Sequence, residues 1–66
     1  MKNNIRVERA IAQLTQQQLA EAVGVSRQTI NAIETGKFVP STVLALKIGR
    51  TFGKMVNEIF QLEEND

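Results

Sequence analysis

Four polar side chains, Arg27, Gln28, Thr29 and Asn31, fall within five residues, and three of them share a chemical property. A guanidinium can donate two parallel bonds to O6 and N7 of guanine, and a carboxamide can donate and accept together against N6 and N7 of adenine. These are the side chains for which base edges in a major groove offer matching partners. The same residue types also line solvated helix faces, so composition alone does not separate the two roles. Elsewhere the chemistry is sparse. The chain has no Cys and no His, which removes thiolate–zinc sites and Ser-His or Cys-His nucleophilic pairs. The remaining carboxylates, hydroxyls and amines form no convergent acid–base set. No enzymatic activity, cofactor or metal is expected.

To enter a groove about 12 Å wide, the polar residues must stand on a helix whose opposite side is held. Ile30 and Ile33 mark that opposite side on a helix starting at Ser26 and stopping near Thr35-Gly36. Before it, a helix begins at Thr15, where Thr15 and Gln18 have the reciprocal T-x-x-Q spacing of a capping box. It ends at Gly24, where a positive φ costs little. Leu19, Ala20 and Val23 form one stripe of this helix, and Val25, Ile30 and Ile33 face it. Ala20 is small where two helices approach closely. The chain reverses within Gly24-Val25-Ser26, so the two helices cross steeply. Counted from Gln16, an apolar residue and Ala at the fourth and fifth places, Gly at the ninth, and apolar residues at the tenth, fifteenth and eighteenth have helix-turn-helix spacing.

The remaining pattern is also helical, with no period-2 alternation. A first helix is predicted from Asn4, as N-cap, to about Gln13. After the loop Lys37-Phe38-Val39-Pro40, Ser41 caps a fourth that runs to Phe52 and closes at Gly53. A fifth covers Val56 to Gln61, and residues 63–66 form a frayed acidic tail. Sixty-six residues make one domain, which buries only about 60% of the surface its unfolded chain exposes. Without disulfides, oligomerisation is the remaining means of support. No signal-peptide pattern and no apolar run near 20 residues is present, so a soluble cytoplasmic protein without membrane contact is expected. Residues 1–54 hold all eight basic groups against three acids, a balance of +5, while residues 55–66 hold four acids. That separation suits a basic face toward a polyanion and an acidic end away from it.

The run Leu14–Lys37, L-T-Q-Q-Q-L-A-E-A-V-G-V-S-R-Q-T-I-N-A-I-E-T-G-K, strongly resembles the phage Cro/lambda-repressor (XRE) helix-turn-helix family. Phe38-Val39-Pro40-Ser41, Leu44-Ala45-Leu46-Lys47-Ile48 and Phe52-Gly53 through Glu58-Ile59-Phe60 resemble its short stand-alone bacterial regulators, including the small cytolysin-repressor type. The resemblance covers nearly the whole chain. It implies an all-α, five-helix DNA-binding domain with the helix-turn-helix in helices two and three. It places Arg27, Gln28 and Asn31 at base-reading positions and Gln16, Ser26, Thr29 and Lys37 against the DNA backbone. Arg9 and Glu34 match an ion pair joining the first helix to the end of the recognition helix. Some relatives pair strands from the two chain ends, which would leave Gln61 to Glu63 extended. Three positions depart from the family pattern: Glu8 stands where an apolar residue is usual, Gln13 where Gly ends the first helix, and Met55 where Ser caps the last.

Not every apolar residue fits one core. In the first helix Ile5 and Ala12 share a side with Arg9, whereas Val7 and Ile11 point roughly opposite and receive no role. Leu44, Ala45, Ile48 and Phe52 fit the inner side of the fourth helix. Val56, Ile59, Phe60 and Leu62 sit on too little backbone to be hidden together, so a homodimer joined through this segment, with help from the fourth helix, is expected. Such a dimer would read an inverted repeat in double-stranded DNA as a transcriptional regulator, foremost a repressor. The alternative from another class is a protein-interaction or antitoxin-like adaptor that keeps the fold.

Overall fold

Ile5, Leu19, Ile30, Ile33, Ile48 and Ile59 are each less than 2% exposed. They come from every helix, so no helix is a dispensable addition to the core. In the computed structural model, which describes residues 1–66, the chain order is β1 (Lys2–Asn3), α1 (Ile5–Ala12), α2 (Gln16–Val23), α3 (Arg27–Glu34), α4 (Thr42–Phe52), α5 (Val56–Ile59) and β2 (Phe60–Gln61). Val23, Ala20, Leu44, Ala45 and Phe60 complete the core, with Val25, Phe52 and Val56 packed against it.

The predicted caps form at three helices. Thr15 Oγ1 accepts from the Gln18 N–H at 3.0 Å while Gln18 Oε1 accepts from the Thr15 N–H at 2.9 Å, completing the capping box. Ser26 Oγ accepts from the Thr29 N–H at 3.1 Å, and Ser41 Oγ from the Leu44 N–H at 3.2 Å. At α1 the cap moves by one residue. Asn3 Oδ1, not Asn4, accepts from the Ile5 N–H at 3.2 Å. Asn4 is drawn elsewhere: its N–H donates to the Ile59 carbonyl at 3.0 Å, and its side-chain amide, turned to suit its neighbours, reaches the same carbonyl at 2.6 Å. At α5 Met55 supplies no oxygen, but Glu58 Oε1 accepts from the Met55 N–H at 3.3 Å.

Two predicted boundaries shift at the C-terminal end. The fifth helix stops at Ile59, two residues early, because Phe60 turns extended (φ −113, ψ 133) and pairs with β1. The ribbon is antiparallel, with Lys2 opposite Gln61 and Asn3 opposite Phe60. The expected joining of the chain ends therefore occurs, at Phe60–Gln61 and not beyond. The tail turns back as well. Glu63 Oε1 and Asp66 Oδ2 each lie 2.9 Å from the Met1 amino group, so residues 63–66 are held where fraying was expected.

Burial corrects two further assignments and settles the sides of α1. Ile59 and Phe60, proposed as dimer contacts, are 0% and 7% exposed within one chain; β1 and α4 close over them, leaving little to offer a second copy. Val56 is half-buried, and only Leu62 of that group is open. Ala12 is exposed because α1 ends there, beyond the edge of the core. The inner place one turn after Ile5 is taken by Glu8, whose carboxylate meets Lys54 Nζ at 3.3 Å. This explains how an acid replaces the family's apolar residue. Gly49 gave no signal in the sequence: a Cβ there would lie 2.8 Å from the Lys54 carbonyl oxygen, so only Gly lets the α4–α5 turn close down on the helix.

Gln13 ends α1 with φ 58 and ψ 42, in the left-handed region, with its N–H on the Ala10 carbonyl and the Leu14 N–H on the Arg9 carbonyl. A side chain in that conformation costs roughly 1–2 kcal/mol, part of which Gly returns through its freer unfolded chain. Gln13→Gly is therefore expected to raise the unfolding free energy by about 0.5–1 kcal/mol in a urea titration.

Candidate nucleic-acid interface

α3 can present side chains only if α2 holds it from behind. Leu19, Ala20 and Val23 of α2 meet Ile30 and Ile33 of α3, all of them buried. Gly24 makes the turn with φ 78, and both its N–H and that of Val25 close on the Ala20 carbonyl, at 2.8 and 3.0 Å. That folds the chain back over the last turn of α2 within two residues, and α3 starts at Arg27. On its opposite side Arg27, Gln28 and Asn31 are all exposed. The predicted base-reading residues thus share one open face.

The predicted backbone-contacting residues divide into two kinds. Lys37 is exposed just beyond α3, where its ammonium is free to meet a phosphate. The Ser26 and Thr29 hydroxyls lie 3.0 Å apart, one donating to the other. Whichever donates, the second hydroxyl keeps a hydrogen to offer. Gln16 is turned inward instead. Its Nε2 donates to Asn31 Oδ1 and to Glu34 Oε1, each at 3.2 Å, so both side-chain hydrogens are engaged within the protein. At the start of α2 it is the main-chain N–H groups that lack helical partners.

Glu34 lies at the centre of this arrangement. Its side chain is 1% exposed, and Arg9 meets it as a fork, Nε donating to Oε2 at 2.6 Å and Nη2 to Oε1 at 3.1 Å. Arg9 Nη1 also donates to the Leu14 carbonyl at 3.0 Å, which fixes the start of α2 to the same group. Burial pushes the Glu34 carboxyl up, but the bonds from Arg9 and Gln16 outweigh it and hold it below the usual glutamate range. The Glu34 hydrogen bond raises the Arg9 guanidinium above its already high ordinary value, burial working against it. Arg6, 3.8 Å from Glu34 and itself 75% exposed, adds only a screened charge. Asn3 joins the network from the chain start, its Nδ2 donating to the Ile33 carbonyl at 2.9 Å. Nothing local in the sequence signals that bond, since its partners stand thirty residues apart.

A helix-turn-helix family model matches residues 5–59. The chain belongs to this family, the XRE type of DNA-binding transcription regulators. Over its full length it is 50% identical to an uncharacterized HTH-type transcriptional regulator of Methanocaldococcus jannaschii and 47% identical to the uncharacterized HTH-type transcriptional regulator YgzD of Bacillus subtilis, covering 100% of each. Among solved structures it is similar to the clp gene regulator ClgR from Corynebacterium glutamicum, with a TM-score of 0.76 and 30% identity. That match covers 82% of this chain and 57% of the ClgR chain. No helix is long and apolar enough to cross a membrane.

Removal of one member of a buried pair leaves the other charge without a partner. Arg9→Met is expected to lower the unfolding free energy by about 3 kcal/mol, and the double change Arg9→Met, Glu34→Leu to recover most of that deficit in urea titrations. Because Glu34 titrates lower when folded, its contribution is full above the ordinary glutamate range and is lost as pH falls through the folded value. Wild type and Arg9→Met should therefore converge in stability in acid.

Proposed function

We propose that the chain is a sequence-specific transcriptional regulator that binds an inverted repeat in double-stranded DNA as a homodimer and represses by occupying its operator. The observation that carries this reading is the exposure of Arg27, Gln28 and Asn31 on one face of α3 while Ile30 and Ile33, on the other, are closed into the core. Arg27 and Gln28 have the donors and acceptors that base edges match, and Lys37, with the Ser26–Thr29 hydroxyl pair, supports the backbone contacts that orient them.

Dimension supports the dimer. The longest extent of one chain is 31 Å and it carries a single outward helix, whereas successive major-groove half-sites on one DNA face are about 34 Å apart. One copy covers one half-site. With Ile59 and Phe60 committed to the core, the surface that best suits a second copy is the outer side of α4. There Val43 and Leu46, 63% and 57% exposed, line a shallow groove with the stems of Lys47 and Arg50. The fourth helix then leads, and Leu62 is the one open apolar residue of the C-terminal segment available to extend it.

Selection from random duplexes should return a half-site repeated with two-fold symmetry. With that duplex, Gln28→Ala is expected to weaken cognate binding about tenfold and competitor binding little, since a bidentate base contact carries roughly 1–3 kcal/mol of discrimination. Lys37→Ala should weaken both similarly and flatten the salt dependence, by about 0.9 in log–log slope for each phosphate no longer neutralised. Equal weakening at both duplexes for Gln28→Ala would remove it from base reading. A charge on the pairing face is the second test: Leu46→Glu is expected to sediment as a monomer with an unchanged circular dichroism spectrum, and a persisting dimer would place the interface elsewhere.

A further inference from the structure

The bonds around Glu34 have a direction that reaches the DNA-facing surface. Arg9 carries only donors, and two of them point at Glu34. The buried Glu34 carboxylate can only accept, so whatever atom of Gln16 faces it must donate, and that atom is Nε2. The same nitrogen lies 3.2 Å from the Asn31 amide and can only donate there as well, so Asn31 must turn its oxygen inward. The oxygen and nitrogen of a carboxamide diverge from one carbon, so a partner that holds the oxygen leaves the nitrogen turned off that contact. With Oδ1 held by Gln16, Nδ2 of the exposed Asn31 is left without a bond inside the protein and open to an outside acceptor.

We propose that Gln16 is a positioning residue for base reading: it fixes the polarity of Asn31 so that this residue meets DNA as a hydrogen-bond donor. This deepens the regulator reading given above and rests on it. A donor alone matches edges that present acceptors in the major groove, O6 and N7 of guanine or O4 of thymine. It mismatches the N4 amino group of cytosine. It also forgoes the two-bond match with adenine, which needs the carboxamide oxygen beside the nitrogen. Gln16 thereby contributes to specificity through its inward bonds, without a side-chain donor left for phosphate. The signal starts at Arg9 in α1, on the far side of Glu34 from the groove.

The test is duplex selection with full-length wild type, Gln16→Met and Asn31→Asp, read at the base position whose preference depends on residue 31. Wild type is expected to select guanine or thymine there. Gln16→Met keeps the side-chain length but frees the Asn31 amide to rotate, so adenine should gain about fivefold at that one position, with a lowered melting temperature because Glu34 loses a donor. In Asn31→Asp the outward atom becomes an acceptor, and the preference should move to cytosine or adenine; this variant carries the test if Gln16→Met folds poorly. Solvent exchange of the side-chain amides in free wild type supplies a readout that needs no DNA: Gln16 should be slowed and Asn31 fast. Selection of cytosine by wild type, or a preference unmoved in both variants, would overturn the proposal while leaving the regulator reading intact. Absence of any sequence preference in wild type would overturn the regulator reading, and the proposal with it.

Discussion

Everything at the DNA-facing surface is referred to one buried carboxylate. Glu34 ends α3, yet its oxygens are bound by Arg9 from α1 and Gln16 from α2, and Arg9 also holds the Leu14 carbonyl where the chain enters α2. Three helices thus share one acceptor. A pair of this kind adds little net stability, because both ions lose water on folding. Its consequence is geometric. A guanidinium fork and a planar carboxylate match in few orientations, so the far end of α3 cannot pivot while the pair is made. The near end is set by the Gly24 turn and the Ser26 cap. A helix fixed at both ends and packed along one side presents its remaining side chains in one orientation, as a recognition helix must.

The small core makes the ends of the chain matter more than they would in a larger domain. Asn3 caps α1 and binds the Ile33 carbonyl with the same amide, Asn4 binds the end of α5, and the β1–β2 ribbon lies between them. These few residues close over Ile59 and Phe60. The C-terminal apolar cluster is therefore an indirect part of the support for α3, and not a surface kept for a partner. Glu8 and Lys54 show the same economy: a partly covered ion pair occupies the inner place on α1, one turn after Ile5, where the family usually has an apolar side chain.

Much of this was legible in the sequence because it depends on local spacing. The Thr15–Gln18 box, the Gly24 turn, the Ser26 and Ser41 caps and the two-sided character of α3 all follow from residues within a few positions of one another. So does the left-handed Gln13, an unusual residue at a place where the chain must turn. What could not be read depends on which distant group reaches a site first. Asn4 has the right type and position for a cap, but the Ile59 carbonyl competes for it and Asn3 caps instead. Val56, Ile59, Phe60 and Leu62 look like surplus apolar area on four residues of helix, until the N-terminal strand covers half of them. The Gln16–Asn31 bond was hidden for the same reason. Each residue separately has a plausible contact with DNA, and only the position of Glu34 shows that one is spent on the other.

The three outward side chains of α3 proposed to read bases are consequently unequal before any DNA arrives. Arg27 and Gln28 stand free and lose rotamer freedom when they bind, a cost of up to roughly 2 kcal/mol for each long side chain. Asn31 is shorter and already held through its oxygen, so that loss has been met in folding. A tethered donor offers a fixed question to the base opposite it, whereas a free guanidinium or carboxamide adapts to several. On the proposed reading Asn31 therefore discriminates through a donor fixed in advance, whereas Arg27 and Gln28 discriminate through contacts they form on binding. The division arises because a bond polarity set by Arg9 and Glu34 is carried across Gln16 to the edge of α3.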